Sequence, residues 1–450
     1  MTNAPDAGSD AGASTAGGGN DVPQGTDEDR ATDTAHSGDT LPERTDVVVV
    51  GGGIIGTATA YFLARDGDHD VTLIERSRLA AGSTGDSSAI LRHHYGDRAI
   101  YTEMAWWSHR FFRRFAEETG AEITYETSPL VRFAETGTAA ERYAMDGYAV
   151  LAERDIPVSR IEGVALDERY PMYRGADRYD FAVSDDAAAY SDGTDATLGF
   201  ARGASDHGAR IVTGVAVETI ETGDGEFTSA DSDDDVGVVT GVHTDAGAVA
   251  CDAVVVAAGP WTADLAETVG VEIPITPVRE GIILLEPPAE YVEAFPELTP
   301  TTTLPEGKWY VRPDVGGGIL VGTHRHTDAV DPDDYANEPD EETILELVET
   351  LAEHAPALAD AGIKGSYCGI YSTTPDHDFV LDAAGPSGCY WSCGFSGHGF
   401  KHAPAVGALM AAMVRGERPR LDDLDVDVSY FSLDRFVENP DGHGVPADYI

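Results

Sequence analysis

Val47-Val48-Val49-Val50-Gly51-Gly52-Gly53-Ile54-Ile55-Gly56 is the stretch on which the reading of this chain turns. Four successive valines suit a strand buried on both faces, as in a parallel sheet. Gly51, Gly53 and Gly56 then satisfy G-x-G-x-x-G directly after that strand and at the start of an apolar helical segment. Gly51 permits a tight turn, Gly53 lets a pyrophosphate approach the backbone, and Gly56 lets the helix lie close to the strand. The N–H groups at the helix start, near Ile54 and Ile55, then face the phosphates. Glu75, followed by Arg76, closes the next apolar run at roughly the 20-residue distance where a carboxylate can accept ribose hydroxyls.

Working outward, Asp46 to Val50 is expected to be a strand, Ile54 to Arg65 a helix and Val71 to Glu75 a second buried strand, which makes a βαβ unit. Trp106 to Glu118 has the spacing of an amphipathic helix. Thr197 to Gly208 is expected to be helical, Arg210 to Ile220 a strand, and Asp252 to Ala258 another buried strand. Glu221 to Asp235 is acidic and small, and suits a charged hairpin loop. Tyr390 to Cys393 is expected as a strand, followed by a glycine-rich turn and the helix Ala403 to Arg415. Alternation in Ile282 to Leu285, Trp309 to Arg312 and Ile319 to Val321 predicts an antiparallel layer. The fold class is α/β: a Rossmann-like nucleotide domain with a parallel sheet (45–125, 188–272 and 366–436) and an inserted antiparallel-sheet substrate domain (126–187 and 273–365). A disordered acidic tail (1–44) and a short C-terminal tail (437–450) are expected to flank them.

The 450 residues carry 80 acidic side chains against 29 basic ones, a formal net charge of −51. Such a surface repels phosphate backbones and anionic lipid, which argues against nucleic-acid and membrane partners. The acidity runs the length of the chain and suits a halophilic cytoplasm, where salt screens self-repulsion. The four cysteines, Cys251, Cys368, Cys389 and Cys393, form neither a disulfide framework nor a metal-ligand spacing, so no metal is expected. The polar N-terminus does not read as a signal peptide. Glycines interrupt the one membrane-like run, Val47 to Ala64, and the expected location is cytoplasmic.

Four further motifs choose among dinucleotides. Gly394-Phe395-Ser396-Gly397-His398-Gly399-Phe400-Lys401 resembles the flavin-ring loop of the D-amino-acid-oxidase superfamily, in its sarcosine oxidase and dimethylglycine dehydrogenase branch. Gly82-Ser83-Thr84 through Ile90-Leu91-Arg92-His93-His94-Tyr95-Gly96 is similar to that branch's segment beneath the flavin. Tyr371-Ser372-Thr373-Thr374-Pro375-Asp376 and Val254-Val255-Val256-Ala257-Ala258-Gly259-Pro260-Trp261 complete a set in the family's order, covering about Thr45 to Phe436. The physics agrees: three glycines at 394, 397 and 399 suit close approach to a planar ring, and helix N–H groups can stabilise a reduced flavin's negative charge.

The resemblance implies FAD and extends the cofactor set to Ser88, Val217, Ala257, Ala258, Gly259, Trp261, Gly394, Gly397, His398, Gly399, Phe400 and Lys401. It further implies that Arg92 and Lys401 clamp a substrate carboxylate, with His324 and Tyr371 in the polar pocket. The expected reaction is oxidation of a secondary or tertiary amine of the sarcosine, dimethylglycine or N-alkyl amino acid type, by hydride transfer to flavin N5. Glycine oxidase, D-amino-acid and 2-hydroxyacid dehydrogenase chemistry stay open, as does a non-catalytic flavin-binding subunit. The chain stops soon after Phe436, without the long C-terminal half of dimethylglycine dehydrogenases, so a partner subunit also stays open. Three departures from the family's pattern matter. The covalent-link cysteine position falls on Gly369, with Cys368 one place out of register, and the early-loop histidine position meets Gly85 or Asp86, so FAD is expected to be non-covalent. The lysine over the flavin that assists oxygen falls on Leu320, favouring an unidentified acceptor other than oxygen. A second pocket arginine falls on Ala89, implying a roomier or less charged site.

Overall fold

The computed structural model describes residues 40–67, 69–173, 179–224, 237–288, 301–303, 309–315, 317–324, 329–422, 424–440 and 442–443. Val47–Val50 pairs in parallel with Ala253–Val256 on one side and with Val71–Glu75 on the other. Its valines alternate. Val47 and Val49 face a helical layer, while Val48 and Val50 face a three-stranded meander (Val217–Gly223, Val238–Thr244, Gly247–Ala250). A strand covered on both sides has no polar face, which is why the sequence there is unbroken valine. Arg210–Thr213 and Cys389–Cys393 extend the parallel sheet, and Val380–Asp382 closes it antiparallel at one edge, for six strands in all.

Helix Ile54–Asp66 is buried from Ile54 to Leu63, so it shows no amphipathic stripe. It packs against Ala403–Val414 and Gly193–Asp206, where Tyr61, Phe111, Phe115 and Phe200 form an aromatic core. The helix expected over Trp106 to Glu118 is two helices, Ala99–Phe112 and Phe115–Thr119. The strand expected over Arg210 to Ile220 is also two, split at Gly214 (φ +76°) and shared between the parallel sheet and the meander. The meander turn between 224 and 237 lies outside the described residues.

The second layer is one eight-stranded sheet in the order Gly362–Thr373, Thr276–Glu286, Ile319–Thr323, Trp309–Pro313, Thr301–Thr303, Leu130–Ala134, Phe181–Asp185, Val158–Glu162. It is antiparallel except where Thr301–Thr303 runs parallel to Leu130–Ala134. The two inserted segments meet at that joint, and strands supplied from separate parts of a chain need no hairpin between them. Strand Gly362–Thr373 crosses the boundary expected at 365/366. One face of the sheet, with Val131, Ile283, Val311 and Val321, buries helix Glu341–His354; the other presents Ile282, Tyr310 and Leu320 toward Ile90.

Both described chain ends are more ordered than tails. Arg44 pairs with Asp252 at 2.6 Å and Leu41 packs on the meander side of the nucleotide sheet. Helix Asp434–Glu438 follows Phe431, Arg435 pairs with Asp376 at 2.8 Å, and the His443 ring stacks on Tyr430 with centroids 4.3 Å apart. Residues 1–39 and 444–450 lie outside the described residues.

Candidate active site

The loop after Val50 is shaped by what it cannot carry. Gly51 has φ +110°, and a Cβ there would collide with the carbonyl oxygen of Ala257. A Cβ at Gly56 would collide with the carbonyl oxygen of Gly51, so the helix crosses the loop at backbone distance. The Gly52 N–H donates to Oε2 of Glu75 at 2.7 Å, and the Ile54 N–H donates to Oγ1 of Thr84 at 3.2 Å.

This loop forms one end of a cavity of about 540 Å³. Gly51, Gly53, Ile54, Ile55, Glu75, Arg76, Gly82, Ser83, Thr84, Ser88, Val217, Ala257, Ala258, Gly259 and Trp261 line it, as expected for a dinucleotide cleft. Gly397, Gly399, Phe400 and Tyr371 also line it, and the eight-stranded sheet adds Glu280, Ile282, Tyr310 and Gly369. The cleft fits FAD in size and donor chemistry. The hydroxyls of Ser83 and Ser392 on its wall are buried without a hydrogen-bond partner, groups that a polar cofactor would satisfy.

Six expected residues do not line this cavity: Gly56, Gly394, His398, Lys401, Arg92 and His324. Gly56 acts in packing, as its position at the crossing requires. Gly394 turns the chain (φ +66°) one place after the strand ends. In the loop that follows, Gly397 and Gly399 turn toward the cavity and the side chain between them turns away. His398 therefore points inward, its Nε2 2.9 Å from the carbonyl oxygen of His377, among Tyr95, Tyr101 and Phe379. Burial holds its imidazole far below the ordinary range, so it supports the loop in neutral form. His324 follows strand Ile319–Thr323 and lies behind the wall, its ring 4.6 Å from that of Tyr310 and 6.2 Å from that of Tyr371.

Arg92 and Lys401 are both buried and close enough to interact, and Lys401 follows Phe400 of the cavity lining. Arg92 follows Ile90–Leu91, which a short sheet ties to Ala189–Ser191 and Tyr125–Thr127. Its guanidinium donates to the His94 carbonyl at 2.6 Å and lies over the Tyr95 ring, 4.1 Å from the centroid. The Tyr95 hydroxyl is 2.8 Å from Nε2 of His402, the residue after Lys401. Desolvation and the nearby charges of Arg92 and Arg132 push the Lys401 ammonium well below its usual value. Its lysine character at a 6 % exposed position sets it apart from surface decoration.

Tyr371 closes on the flavin-loop turn. A Cβ on Gly397 (φ +82°) would come within 2.5 Å of the Tyr371 ring, so only glycine lets the two meet. Burial raises the Tyr371 phenol far above its usual value, and the neighbouring Tyr310 and Glu280 add to this. Glu280 was not anticipated. It is 2 % exposed, and Thr323 donates its hydroxyl to Oε2 at 2.6 Å. The available signal was a carboxylate immediately before the apolar run Gly281-Ile282-Ile283-Leu284-Leu285. Arg132, inside Leu130-Val131-Arg132-Phe133, was missed for the same reason.

Gly369 lies in the cavity wall, while Cys368 is turned off it and its N–H donates to the Asn337 carbonyl at 2.7 Å. Cys251, Cys389 and Cys393 are buried, and desolvation pushes the thiols of Cys251 and Cys389 up to about 12. Among the described residues no helix is long and apolar enough to cross a membrane.

Residues 46–413 match the family model described as FAD dependent oxidoreductase (DAO). Among curated relatives, the chain is 29 % identical over 410 residues to a 4-methylaminobutanoate oxidase (formaldehyde-forming) of Paenarthrobacter nicotinovorans, covering 89 % of this chain and 47 % of that protein. It therefore spans about half the length of that relative. Monomeric sarcosine oxidase of Bacillus sp. (strain NS-129) is 28 % identical over 400 residues, covering 87 % of this chain and 96 % of the relative. Among solved structures, L-proline dehydrogenase from P. horikoshii superposes with a TM-score of 0.75 at 23 % identity, covering 88 % of this chain and 99 % of that one. Glycine oxidase from Geobacillus kaustophilus gives 0.70 at 22 % identity, covering 87 % and 99 %. With the glycine loop, the long cleft and the two-sheet frame all inside the matched span, this chain belongs to the DAO family and is a FAD-dependent oxidoreductase.

Proposed function

We propose that the enzyme oxidises a secondary or tertiary amine bearing a carboxylate, of the sarcosine, dimethylglycine or N-alkyl amino acid type. The observation that carries this reading is the buried basic pair, Arg92 and Lys401, with Lys401 next in the chain to Phe400 of the cleft lining. Buried cations require an anionic partner, and a carboxylate suits the Arg fork and the Lys point charge. Glu280 lines the cleft beside Tyr371 and Tyr310. A zwitterionic substrate is oriented by that polarity, acid toward Arg92 and Lys401, amine toward Glu280.

When bound, FAD supplies the two-electron acceptor, taking a hydride from the carbon next to nitrogen. Water then hydrolyses the substrate iminium to an aldehyde and a dealkylated amine. Gly51, Gly53 and the helix start hold the pyrophosphate end, and Glu75 the ribose end. The cofactor is held without a covalent bond, because Gly369 offers no sulfur and Cys368 is turned off the wall. Tyr371 and Tyr310 give the reacting end an aromatic lining, and His324 packs against Tyr310 from outside the cavity. Positioning therefore carries the rate, and no strong general base is assigned.

The test is Arg92→Ala with an N-methyl amino acid and its methyl ester. Loss of one partner of a desolvated charge pair is worth about 2–5 kcal/mol, roughly 30-fold or more in affinity. The acid should lose that affinity and the ester should not. Equal loss for both, or none for either, would refute the assignment.

A further inference from the structure

The cation cluster holds more charge than one carboxylate can balance. Arg132, on Leu130–Ala134 of the substrate sheet, is 6 % exposed, as are Arg92 and Lys401. A chain of contacts joins them. Arg132 lies over the Tyr143 ring at 5.2 Å, Tyr143 packs on His94 at 5.1 Å, and the His94 carbonyl receives Arg92. The Arg132 guanidinium lowers Lys401, and Arg92 lowers Arg132, whose own value falls to about 10 under desolvation.

One carboxylate stands nearby, the fully buried Asp185, and it is already engaged. It accepts the His93 N–H at 2.7 Å and lies 3.1 Å from the His93 Nδ1. Burial holds His94, His398 and His402 in their neutral forms, with His94 pushed down to about 3. Other arginines close by are balanced elsewhere: Arg98 by Asp378, and Arg312 by the Pro313 carbonyl and Asp314. Once a bound carboxylate restores the Lys401 ammonium, three cations face Asp185 among the described residues, an excess of two charges. The Arg132 Nε is buried with no hydrogen-bond partner.

We propose that the substrate is a dicarboxylate amine, an N-alkylated amino acid with a second acid group of the N-methylaspartate or N-methylglutamate class. Arg132 receives the second carboxylate, and the inference rests on the amine-oxidation reading above. The cation that the resemblance placed at Ala89 is lost, but the site is not less charged. Arg132 supplies charge from the eight-stranded sheet, joined to Arg92 through Tyr143 and His94. A monocarboxylate would leave one buried cation uncompensated, a costly state; a dicarboxylate balances the cluster.

The experiment uses holoenzyme and non-reacting probes: succinate and glutarate against acetate and butyrate, titrated by calorimetry and by perturbation of the flavin spectrum. The native protein should bind the dicarboxylates at least ~10-fold more tightly. Arg132→Met should abolish that ratio while leaving monocarboxylate affinity within about twofold, and Arg132→Lys should keep most of it, since the charge survives. Equal affinities in the native protein, or parallel loss of both classes in Arg132→Met, would overturn the proposal. Should Arg132→Met fail to fold with FAD, the native ratio and Arg132→Lys decide alone. Anaerobic flavin reduction separates the two levels. If monocarboxylate and dicarboxylate amines reduce the flavin equally well, only the dicarboxylate inference fails. If neither does, the amine reading falls and takes the inference with it.

Discussion

The guanidinium of Arg76 lies over the indole of Trp261, 3.7 Å from the ring centroid, at the wall of the FAD cleft. The pair joins the end of strand Val71–Glu75 to the segment after strand Ala253–Val256. Asp333, ahead of helix Glu341–His354, clasps both, accepting from the Arg76 guanidinium at 2.9 Å and from the Trp261 indole N–H at 3.0 Å.

Trp261→Ala should therefore weaken FAD retention without unfolding the protein. Arg76 and Asp333 are 43 % and 61 % exposed, so their ion pair contributes little and is screened by salt. The exposed cation–π contact is worth about 0.5–1 kcal/mol, so the expected loss is a few-fold in FAD dissociation constant. Release of fluorescent FAD on dilution measures it. An unchanged constant in both Trp261→Ala and Asp333→Ala would show that the clasp does not hold the cofactor.

The flavin should leave with denaturation. Gly369 in the wall offers nothing to bond with, and a Cβ there would already touch the Asp86 Cβ at 3.4 Å. After acid precipitation the yellow colour is expected in the supernatant. Colour remaining in the pellet would establish a covalent link.

Reduced enzyme should react slowly with molecular oxygen. A fixed cation near the flavin lowers the barrier to superoxide by stabilising developing negative charge. Leu320 stands where the resemblance expects that lysine. It lies one layer behind the cavity wall, packed on Ile282 and Tyr310, which do line the cleft. Stopped-flow mixing of photoreduced enzyme with air-saturated buffer, repeated on Leu320→Lys, reads this directly. Rapid reoxidation of the native enzyme, or no acceleration in the variant, would contradict a dehydrogenase.

Carboxylate ligands should bind less tightly as pH rises. Without an anion, burial with Arg92 and Arg132 holds Lys401 well below 10.5. A bound carboxylate favours the ammonium form and raises that value, so binding takes up a proton at any pH between the two. Affinity then falls by up to about tenfold per pH unit across that window. Lys401→Met should flatten the profile and remove proton uptake in calorimetry run in buffers of different ionisation enthalpy. A sloping profile that survives in Lys401→Met would assign the proton elsewhere.

Most of the nucleotide half was legible in the chain because its determinants are local. Val47 to Gly56 carries strand, turn and helix start in ten consecutive residues, and Gly56 answers to Gly51 five places before it. The Cys368 orientation was legible too, since strand alternation fixes it. The acid-binding cluster was only half legible. Arg92 and Lys401 came from motif resemblance, whereas Arg132 reaches them because Leu130–Ala134 lies where two inserted segments join side by side. No periodicity encodes that parallel joint. Glu280 was hidden in the same way, its meaning set by Gly369 across the strand pair. Where sequence spacing misled, at Trp106 to Glu118 and Arg210 to Ile220, a break between two elements had been read as continuous structure.

The clustered cations also give the ligand-free protein a reserve of strain that its proper ligand alone can relax. Anything that fills the cluster should raise the melting temperature in proportion to how completely it cancels the charge, because binding to the folded state stabilises it by mass action. The natural substrate can thus be sought by warming the protein against a library of small acids, before any turnover assay or electron acceptor is in hand.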